Sequence, residues 1–508
     1  MFTEIKHLEM RGITKRFPGV LANDDVSIEV RAGEVLALLG ENGAGKTTLM
    51  NILYGLYQPD SGEIRVNGRA VAINSPRDAL GLGIGMVHQH FMLVPTLTVA
   101  ENVALGMPSP KGPVLDLKAV SEKIKQISSA YGLAVNPEAY VWQLSVGEQQ
   151  RVEIVKALYR GASLLVLDEP TAVLTPQEAN EFIALLRNMA AQGRPIIFIS
   201  HKLNEVMAVS DRVTVLRDGK VAASVKTMET SPRELARMMV GRELAPCVRE
   251  GKCSSGKVVL ELKDVWVSSD KGSPALRGVS LELREGEIVG IAGVSGNGQK
   301  ELTEVISGLR KVTRGQILLN GKDITNSTPD QILNQGLGYI PEDRLHVGTI
   351  PSFTVWENLV LRDHHQPPYA KSIFLQNQAI RTASASLVSN YGVKTPGLDT
   401  PTGRLSGGNI QRLILAREIT RCPVVLVAAY PIRGLDIGAT EYVHTKLLEA
   451  RENGMGVLFV SEDLEEILNL SDRVAVMYEG RMMKILPAEE ADERALGLLM
   501  AGICEEAS

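Results

Sequence analysis

Cysteine is scarce. Cys247, Cys253, Cys422 and Cys504 are the only four in 508 residues and follow no repeated spacing, which argues against a disulfide scaffold or a zinc cluster and fits a reducing compartment. A surplus of positive charge is missing as well: 54 Lys and Arg stand against 59 Asp and Glu, a formal charge of -5, so a broadly basic nucleic-acid surface is not expected, local patches aside. Long apolar runs are absent, since stretches such as VLALLG break off within a few residues. The opening MFTEIKHLEMRG is charged, so neither a membrane span nor a secretory leader is expected, and the chain is expected to be soluble by itself. What remains, 44% hydrophobic and 22% charged residues, is enough to bury full cores and excludes a disordered or fibrous chain; the length suits two domains better than one.

Self-similarity fixes the organisation. IEVRAGEVLALLGENGAGKTTL (28–49) matches LELREGEIVGIAGVSGNGQKEL (281–302) at an offset of 253, and IGMVHQH matches LGYIPED at the same offset, placing Gln89 on Glu342. QLSVGEQQR (143–151) matches RLSGGNIQR (404–412), and SDRVTVLRDGK (210–220) matches SDRVAVMYEGR (471–481), both at an offset of 261. The second copy therefore carries eight extra residues in between, expected in a helical part of that interval. Gly, Ser and charge accumulate over 241–257, which reads as a linker or a surface excursion. Each half reads as α/β: short apolar strands such as EVLALLG, SLLVLDE and PIIFIS alternate with helical patterns such as TPQEANEFIALLRNMAAQ, which Thr175 and Glu178 open with a capping-box pattern.

GENGAGKTT (40–48) sits between an apolar strand and an apolar helical stretch, the context that G-x-x-x-x-G-K-[ST] requires. Gly40, Gly43 and Gly45 let the backbone turn its N–H groups toward phosphate oxygens, Lys46 reaches the β and γ phosphates, and Thr47 helps hold Mg2+. A chance glycine-rich turn is the bland alternative. SLLVLDEP (163–170) is a strand that delivers two carboxylates at its end: Asp168 to hold Mg2+ through water, Glu169 to polarise an attacking water or, alternatively, to pair with a nearby cation.

In this order the motifs of both halves resemble the nucleotide-binding subunit of ATP-binding-cassette transporters, and their fusion resembles the tandem ATPases of bacterial importers for simple sugars and nucleosides. The resemblance covers nearly the whole chain. It implies an α/β fold of two tandem P-loop NTPase cassettes, each a RecA-like mixed-sheet core with an antiparallel β part and a helical signature subdomain, at 1–245 and 258–508 with a linker at 246–257. ATP would lie on Gly40, Glu41, Asn42, Gly43, Ala44, Gly45, Lys46, Thr47 and Thr48, and Mg2+ on Thr47, Gln89 and Asp168. The Q-loop glutamine falls on Gln89, which the residues alone leave as a polar loop residue; the signature serine and glycine fall on Ser145 and Gly147, the D-loop on Ala172 to Thr175, and the switch histidine on His201, the one histidine of eight that follows such a strand. Phe17 matches the aromatic that stacks on adenine, with an apolar core role as its alternative. The resemblance thus makes Lys46, Gln89, Asp168, Glu169 and His201 the catalytic set.

The second half keeps the frame and loses the chemistry. Gln299, Lys300 and Glu301 answer Lys46, Thr47 and Thr48; Ala429 and Tyr430 answer Asp168 and Glu169; Glu342 answers Gln89 and Glu462 answers His201. Its signature LSGGN keeps both glycines, whereas LSVGE in the first half has Val146. Family members pair cassettes head to tail, so the resemblance implies an intramolecular pseudo-dimer in which Ser406, Gly407, Gly408 and Asn409 complete the first half's ATP site and leave the other site degenerate. It further implies two integral membrane permease subunits, an extracytoplasmic substrate-binding protein, a peripheral place on the cytoplasmic face of the inner membrane and no nucleic-acid partner. The wording VHQHFMLVPTLTVAEN and LSVGEQQRVEIVKALYRGA looks like the nucleoside-type branch; a ribose or galactose-type sugar is the second reading and a soluble ATPase acting on a nucleic-acid complex the third.

Overall fold

The computed structural model describes residues 4–88, 91–107, 116–171, 174, 176–243, 248–249, 256–270, 272–294, 296–500 and 502–503. The chain packs into two compact units, Met1–Leu244 and Ala245–Ser508. Gln89, most of the D-loop including Thr175, and most of the expected linker lie outside the described residues.

The first unit contains the strands β1 (His7–Phe17), β2 (Val20–Arg31), β3 (Val35–Leu39), β4 (Ser61–Val66), β5 (Arg69–Val71), β6 (Ile84–Val87), β7 (Leu164–Asp168), β8 (Ile196–Ile199), β9 (Arg212–Arg217) and β10 (Lys220–Lys226). Its helices are α1 (Lys46–Leu53), α2 (Pro76–Gly81), α3 (Val99–Ala104), α4 (Leu117–Tyr131), α5 (Val146–Tyr159), α6 (Pro176–Ala191), α7 (Leu203–Val209) and α8 (Pro232–Val240). A six-stranded sheet runs β10-β9-β3-β8-β7-β6, parallel except for β10. VLALL, LLVLD and IIFI are buried at every position, the pattern of parallel strands covered on both faces. The antiparallel sheet β2-β1-β4-β5 instead alternates, sending Leu8, Met10 and Ile13 inward. Helix α1 joins the core shared by the two sheets, with Leu49, Ile52 and Leu53 fully buried beside Leu8 of β1 and Leu36 of β3. Each such side chain stabilises by roughly 1.5–3 kcal/mol.

The second unit repeats the plan with β11 (Val258–Ser268), β12 (Pro274–Arg284), β13 (Ile288–Ala292), β14 (Arg314–Leu319), β15 (Lys322–Asp323), β16 (Leu337–Ile340), β17 (Ala370–Lys371), β18 (Phe374–Leu375), β19 (Val425–Ala429), β20 (Gly456–Val460), β21 (Arg473–Tyr478) and β22 (Arg481–Pro487). The helices are α9 (Gln299–Ile306), α10 (Pro329–Asn334), α11 (Val355–Val360), α12 (Asn377–Asn390), α13 (Gly407–Ile419), α14 (Ile437–Glu452), α15 (Leu464–Leu470) and α16 (Glu493–Met500). Sheets β16-β19-β20-β13-β21-β22 and β12-β11-β14-β15 have the connectivity of their counterparts. The extra residues are not in one place. Val87 to Thr98 becomes Ile340 to Thr354, three residues longer; Thr98 to Gly132 becomes Thr354 to Gly392, four longer, with the β17–β18 hairpin in it; Gly132 to Ser145 becomes Gly392 to Ser406, one longer. All three lengthenings leave α11, α12 and α13 intact, because a loop absorbs length at little cost whereas a packed helix face does not. Among the described residues no helix is long and apolar enough to cross a membrane.

Candidate functional site

Three adjacent parallel strands, β3, β8 and β7, end at one edge of the first unit's sheet, level at Leu38, Ile199 and Asp168. Loops at the carboxyl edge of such a sheet are where it can bind. From β3 the chain turns through Gly40 to Gly45 into α1. Gly45 has φ 97°, and a Cβ there would lie 2.3 Å from the Ala22 carbonyl oxygen and 2.6 Å from Asn23 Nδ2. Only glycine fits. Fully buried Asn23 of β2 donates to the Gly45 carbonyl at 3.2 Å, bracing the turn from the antiparallel sheet. Lys46, 7% exposed, donates from Nζ to the carbonyls of Gly40 at 2.7 Å and Glu41 at 3.0 Å, so the ammonium lies inside the loop. Thr47 is exposed on the first turn of α1.

Strand β7 ends in Asp168, 7% exposed, followed by Glu169 with φ 48° and its N–H donating to the Ile199 carbonyl at 2.9 Å. A non-glycine residue in the left-handed region costs on the order of 1–3 kcal/mol and persists only where the surrounding structure over-determines it. That side chain meets His201 from the loop after β8, with Glu169 Oε1 2.8 Å from His201 Nδ1. Burial, then the neighbouring Glu169 carboxylate, push the Asp168 carboxyl above its ordinary value against the pull of Lys46. Burial also pushes Glu169 up, but the His201 hydrogen bond together with the charges of His201, Lys46 and Lys202 outweighs it and holds that carboxyl below its ordinary value. Two adjacent carboxyls are thereby driven in opposite directions. Such a pair suits one group to a divalent cation, which would relieve the buried charge of Asp168, and leaves the other ionised as a hydrogen-bond acceptor. The residues present therefore fit a phosphate ester with Mg2+: turned backbone amides, an inward ammonium, a hydroxyl on Thr47 and a buried carboxylate on Asp168.

Phe17, at the end of β1, is 36% exposed with its ring edge-on to Tyr57 at 5.4 Å and Lys15 Nζ 5.8 Å away, an arrangement on the surface and not in the core. Ser145 caps α5 in a closed box: its Oγ accepts from the Glu148 N–H at 3.3 Å and its own N–H donates to the Glu148 carboxylate at 2.7 Å. Ser406 begins α13 otherwise. Its hydroxyl accepts from Asn409 Nδ2 at 2.8 Å, Asn409 Oδ1 accepts from the Lys394 N–H at 2.8 Å, and among the described residues no carboxylate caps that helix start.

At the aligned place in the second unit the backbone frame persists. Tyr430 takes φ 46° and donates its N–H to the Val460 carbonyl at 2.9 Å, as Glu169 does to Ile199. Gln299 is buried and donates from Nε2 to the Val294 carbonyl at 3.1 Å, repeating the bond from Lys46 to Glu41 without the charge. Lys300 Nζ points to Glu304 at 3.8 Å on the outer face of α9, so it does not replace Lys46. Around Tyr430, burial and the carboxylates of Glu462, Glu342 and Glu301 push its hydroxyl strongly up, while Arg433, ion-paired with Glu342, pulls it down. A region that would meet phosphate has become acidic.

Sequence reading missed Asn23 and the side chains of Thr171, Lys202 and Glu205 beside the Glu169–His201 pair. A signal was present: all but Glu205 change in the second copy, to Leu276, Ile432 and Asp463, together with the lost chemistry.

The profile of the ABC transporter family matches residues 23–172 and 276–430. A nucleoside import ATP-binding protein of Lactococcus lactis subsp. cremoris is 48% identical over 97% of this chain and 98% of its own length. A guanosine import ATP-binding protein of Bacillus subtilis is 50% identical over 97% of each. A glucose import ATP-binding protein of Haloferax volcanii is 46% identical over 97% of this chain and 96% of its own. With one match on each half and relatives of this identity along nearly all its length, the chain belongs to the ABC transporter family and carries two of its cassettes in tandem.

Proposed function

We propose that the chain is the ATP-hydrolysing subunit of a nucleoside importer and that hydrolysis takes place only on the first cassette's machinery. The observation that carries the reading is the Glu169–His201 contact at 2.8 Å beside buried Lys46 and Asp168, set against Tyr430, Glu462, Gln299 and Ala429 in the same frame of the second unit. Nucleoside and guanosine import in two relatives near 50% identity supports the cargo; glucose import in a relative at 46% keeps a simple sugar as the second reading. Two permease subunits, a substrate-binding protein and a peripheral place at the cytoplasmic membrane face belong to the same proposal, since transport needs a path that no described helix of this chain supplies.

Phosphoryl transfer to water asks mainly for positioning and for neutralisation of charge. The amides of Gly43 to Thr48 and the ammonium of Lys46 grip the β and γ phosphates, and Phe17 offers a ring face to the adenine. Thr47 and Asp168 would hold Mg2+, with Gln89 as a further ligand; the ion supplies charge neutralisation on the phosphates when bound. Glu169, kept ionised, accepts a hydrogen bond from the attacking water, and His201 fixes the Glu169 carboxylate and faces the γ phosphate. ATP contacts are also assigned to Ser406, Gly407, Gly408 and Asn409. An α13 start without a carboxylate favours an anion, whereas Glu148 already fills that role on α5. Each transition-state contact of this kind is worth about 2.7–4 kcal/mol, so losing several in one cassette decides the sign.

In proteoliposomes holding the assembled transporter, Glu169→Gln is expected to abolish ATP-driven uptake of a labelled nucleoside, while Tyr430→Phe keeps both uptake and hydrolysis. Substantial hydrolysis by Glu169→Gln would sink the site assignment, and uptake of a pentose or hexose in place of nucleoside would reverse the cargo.

A further inference from the structure

In the first unit the loops that follow β7 and β8 are joined twice. One joint is the Glu169–His201 pair. The other lies two residues past Glu169 and four past His201. There the hydroxyl of Thr171, 1% exposed, donates to a carboxylate oxygen of Glu205. Lys202 Nζ donates to the Thr171 carbonyl at 3.2 Å and lies 3.1 Å from the other Glu205 oxygen. A closed ring of a hydroxyl, a carboxylate, an ammonium and a backbone carbonyl thus ties the loop after β7 to the loop after β8 and the first turn of α7.

The second unit serves as an internal control. Its aligned residues are Ile432, Asp463 and Glu466, and no ring can form: Ile432 has no hydroxyl, Asp463 has no ammonium, and Glu466 bonds to Ser461 Oγ and His444 Nε2, each at 2.5 Å. Other features are common to both units. The left-handed turn occurs at Tyr430 without the ring, and the serine that accepts from the start of the following helix is present in both, Ser200 from Lys202 N–H and Ser461 from Asp463 N–H, each at 3.1 Å. What the ring adds is the spacing of one loop from the other, in the unit where that spacing sets a reacting pair.

We propose that Thr171, Lys202 and Glu205 form a positioning clamp that holds Glu169 and His201 at hydrogen-bonding distance. These residues act through that pair, and the clamp rests on the reading that Glu169 and His201 act in hydrolysis. A base displaced by an ångström loses rate while substrate binding, which lies on the P-loop, is left intact.

The test measures steady-state ATP hydrolysis of the assembled transporter for Thr171→Val, which removes the hydroxyl at similar volume, Thr171→Ser, which restores it, and Glu205→Gln, which keeps an acceptor for Thr171 but drops the ion pair. Thr171→Val is expected to lower kcat by about 10- to 100-fold, with KM for ATP held within about twofold. Thr171→Ser is expected to recover most of the loss, with Glu205→Gln in between. Wild-type kcat in Thr171→Val while Glu169→Gln is inactive overturns the clamp alone. An active Glu169→Gln overturns the catalytic reading and the clamp with it. Equal impairment of Thr171→Val and Thr171→Ser assigns these residues to folding, and a raised KM at unchanged kcat assigns them to nucleotide binding; either result also overturns the proposal.

Discussion

Asp168 shows how the candidate site and the stability of the fold oppose each other. Its carboxyl is held above the ordinary aspartate value of 3.8 by burial and by Glu169. A group raised in this way contributes stability that is fully present below its unfolded value and is lost as pH rises through the folded one. At neutral pH the buried carboxylate therefore weakens the fold. Asp168→Asn is expected to raise the melting temperature at pH 7.5 by about 2–4 °C, for a gain on the order of 1 kcal/mol, while hydrolysis is lost. The gain should shrink as the pH is lowered toward 3.8, which melting curves across pH would follow. A lower melting temperature for the variant at pH 7.5 would contradict the sign. Motif spacing put Asp168 and Glu169 side by side, as any DE pair at a strand end would be. That the two are driven oppositely depends on who else faces them, and His201, 32 positions away in the chain, is the deciding neighbour.

At the scale of elements, TVAEN and TVWEN repeat a single device. Thr98 and Glu101 close a capping box at the start of α3, and Thr354 and Glu357 do so at α11. The asparagine after each box is buried and latches the preceding loop. Asn102 Oδ1 accepts from the Val94 N–H at 2.7 Å while Nδ2 donates to the carbonyls of Val94 at 3.1 Å and Thr98 at 3.0 Å; Asn358 does the same with Ile350 at 2.8 and 3.0 Å and Thr354 at 3.2 Å. The apolar stretch before and within α3 divides: Val99, Ala100, Val103 and Ala104 are buried, while Met92 is 64% exposed. Asn102→Ala leaves the Val94 N–H and several carbonyls to find new partners and should cost about 2 kcal/mol. A fall in melting temperature of about 4–8 °C is the expected readout. A change below about 1 °C would mean that water replaces the latch without loss.

For the whole molecule, the two units share a fold and differ in charge where nucleotide chemistry is proposed. Lys46 and the His201-braced carboxylate on one side answer to Gln299, Glu301, Glu342 and Glu462 on the other. Binding that favours the folded state slows local opening where the ligand sits. Hydrogen exchange of the full chain with Mg2+ and ATP should therefore show added protection over residues 40–53 and none over 293–306, and Lys46→Ala should remove the first effect. Equal protection of both segments would show that the second turn also takes nucleotide. Much of this was legible in the chain: the repeat, the wholly buried strands VLALL and LLVLD, the glycine-rich turn from Gly40 to Gly45, and the loss of Lys46, Glu169 and His201 in the second copy. These are encoded by covalent spacing and by the burial period of single elements, which neighbours along the chain decide. Tertiary structure alone decided the rest. The Glu169–His201 contact, the Asn23 brace 22 positions from Gly45 and the Thr171–Glu205 bond across 34 positions exist because β8 lies between β3 and β7 and because one sheet packs on the other. Strand order comes from packing, and no local period in the sequence records it.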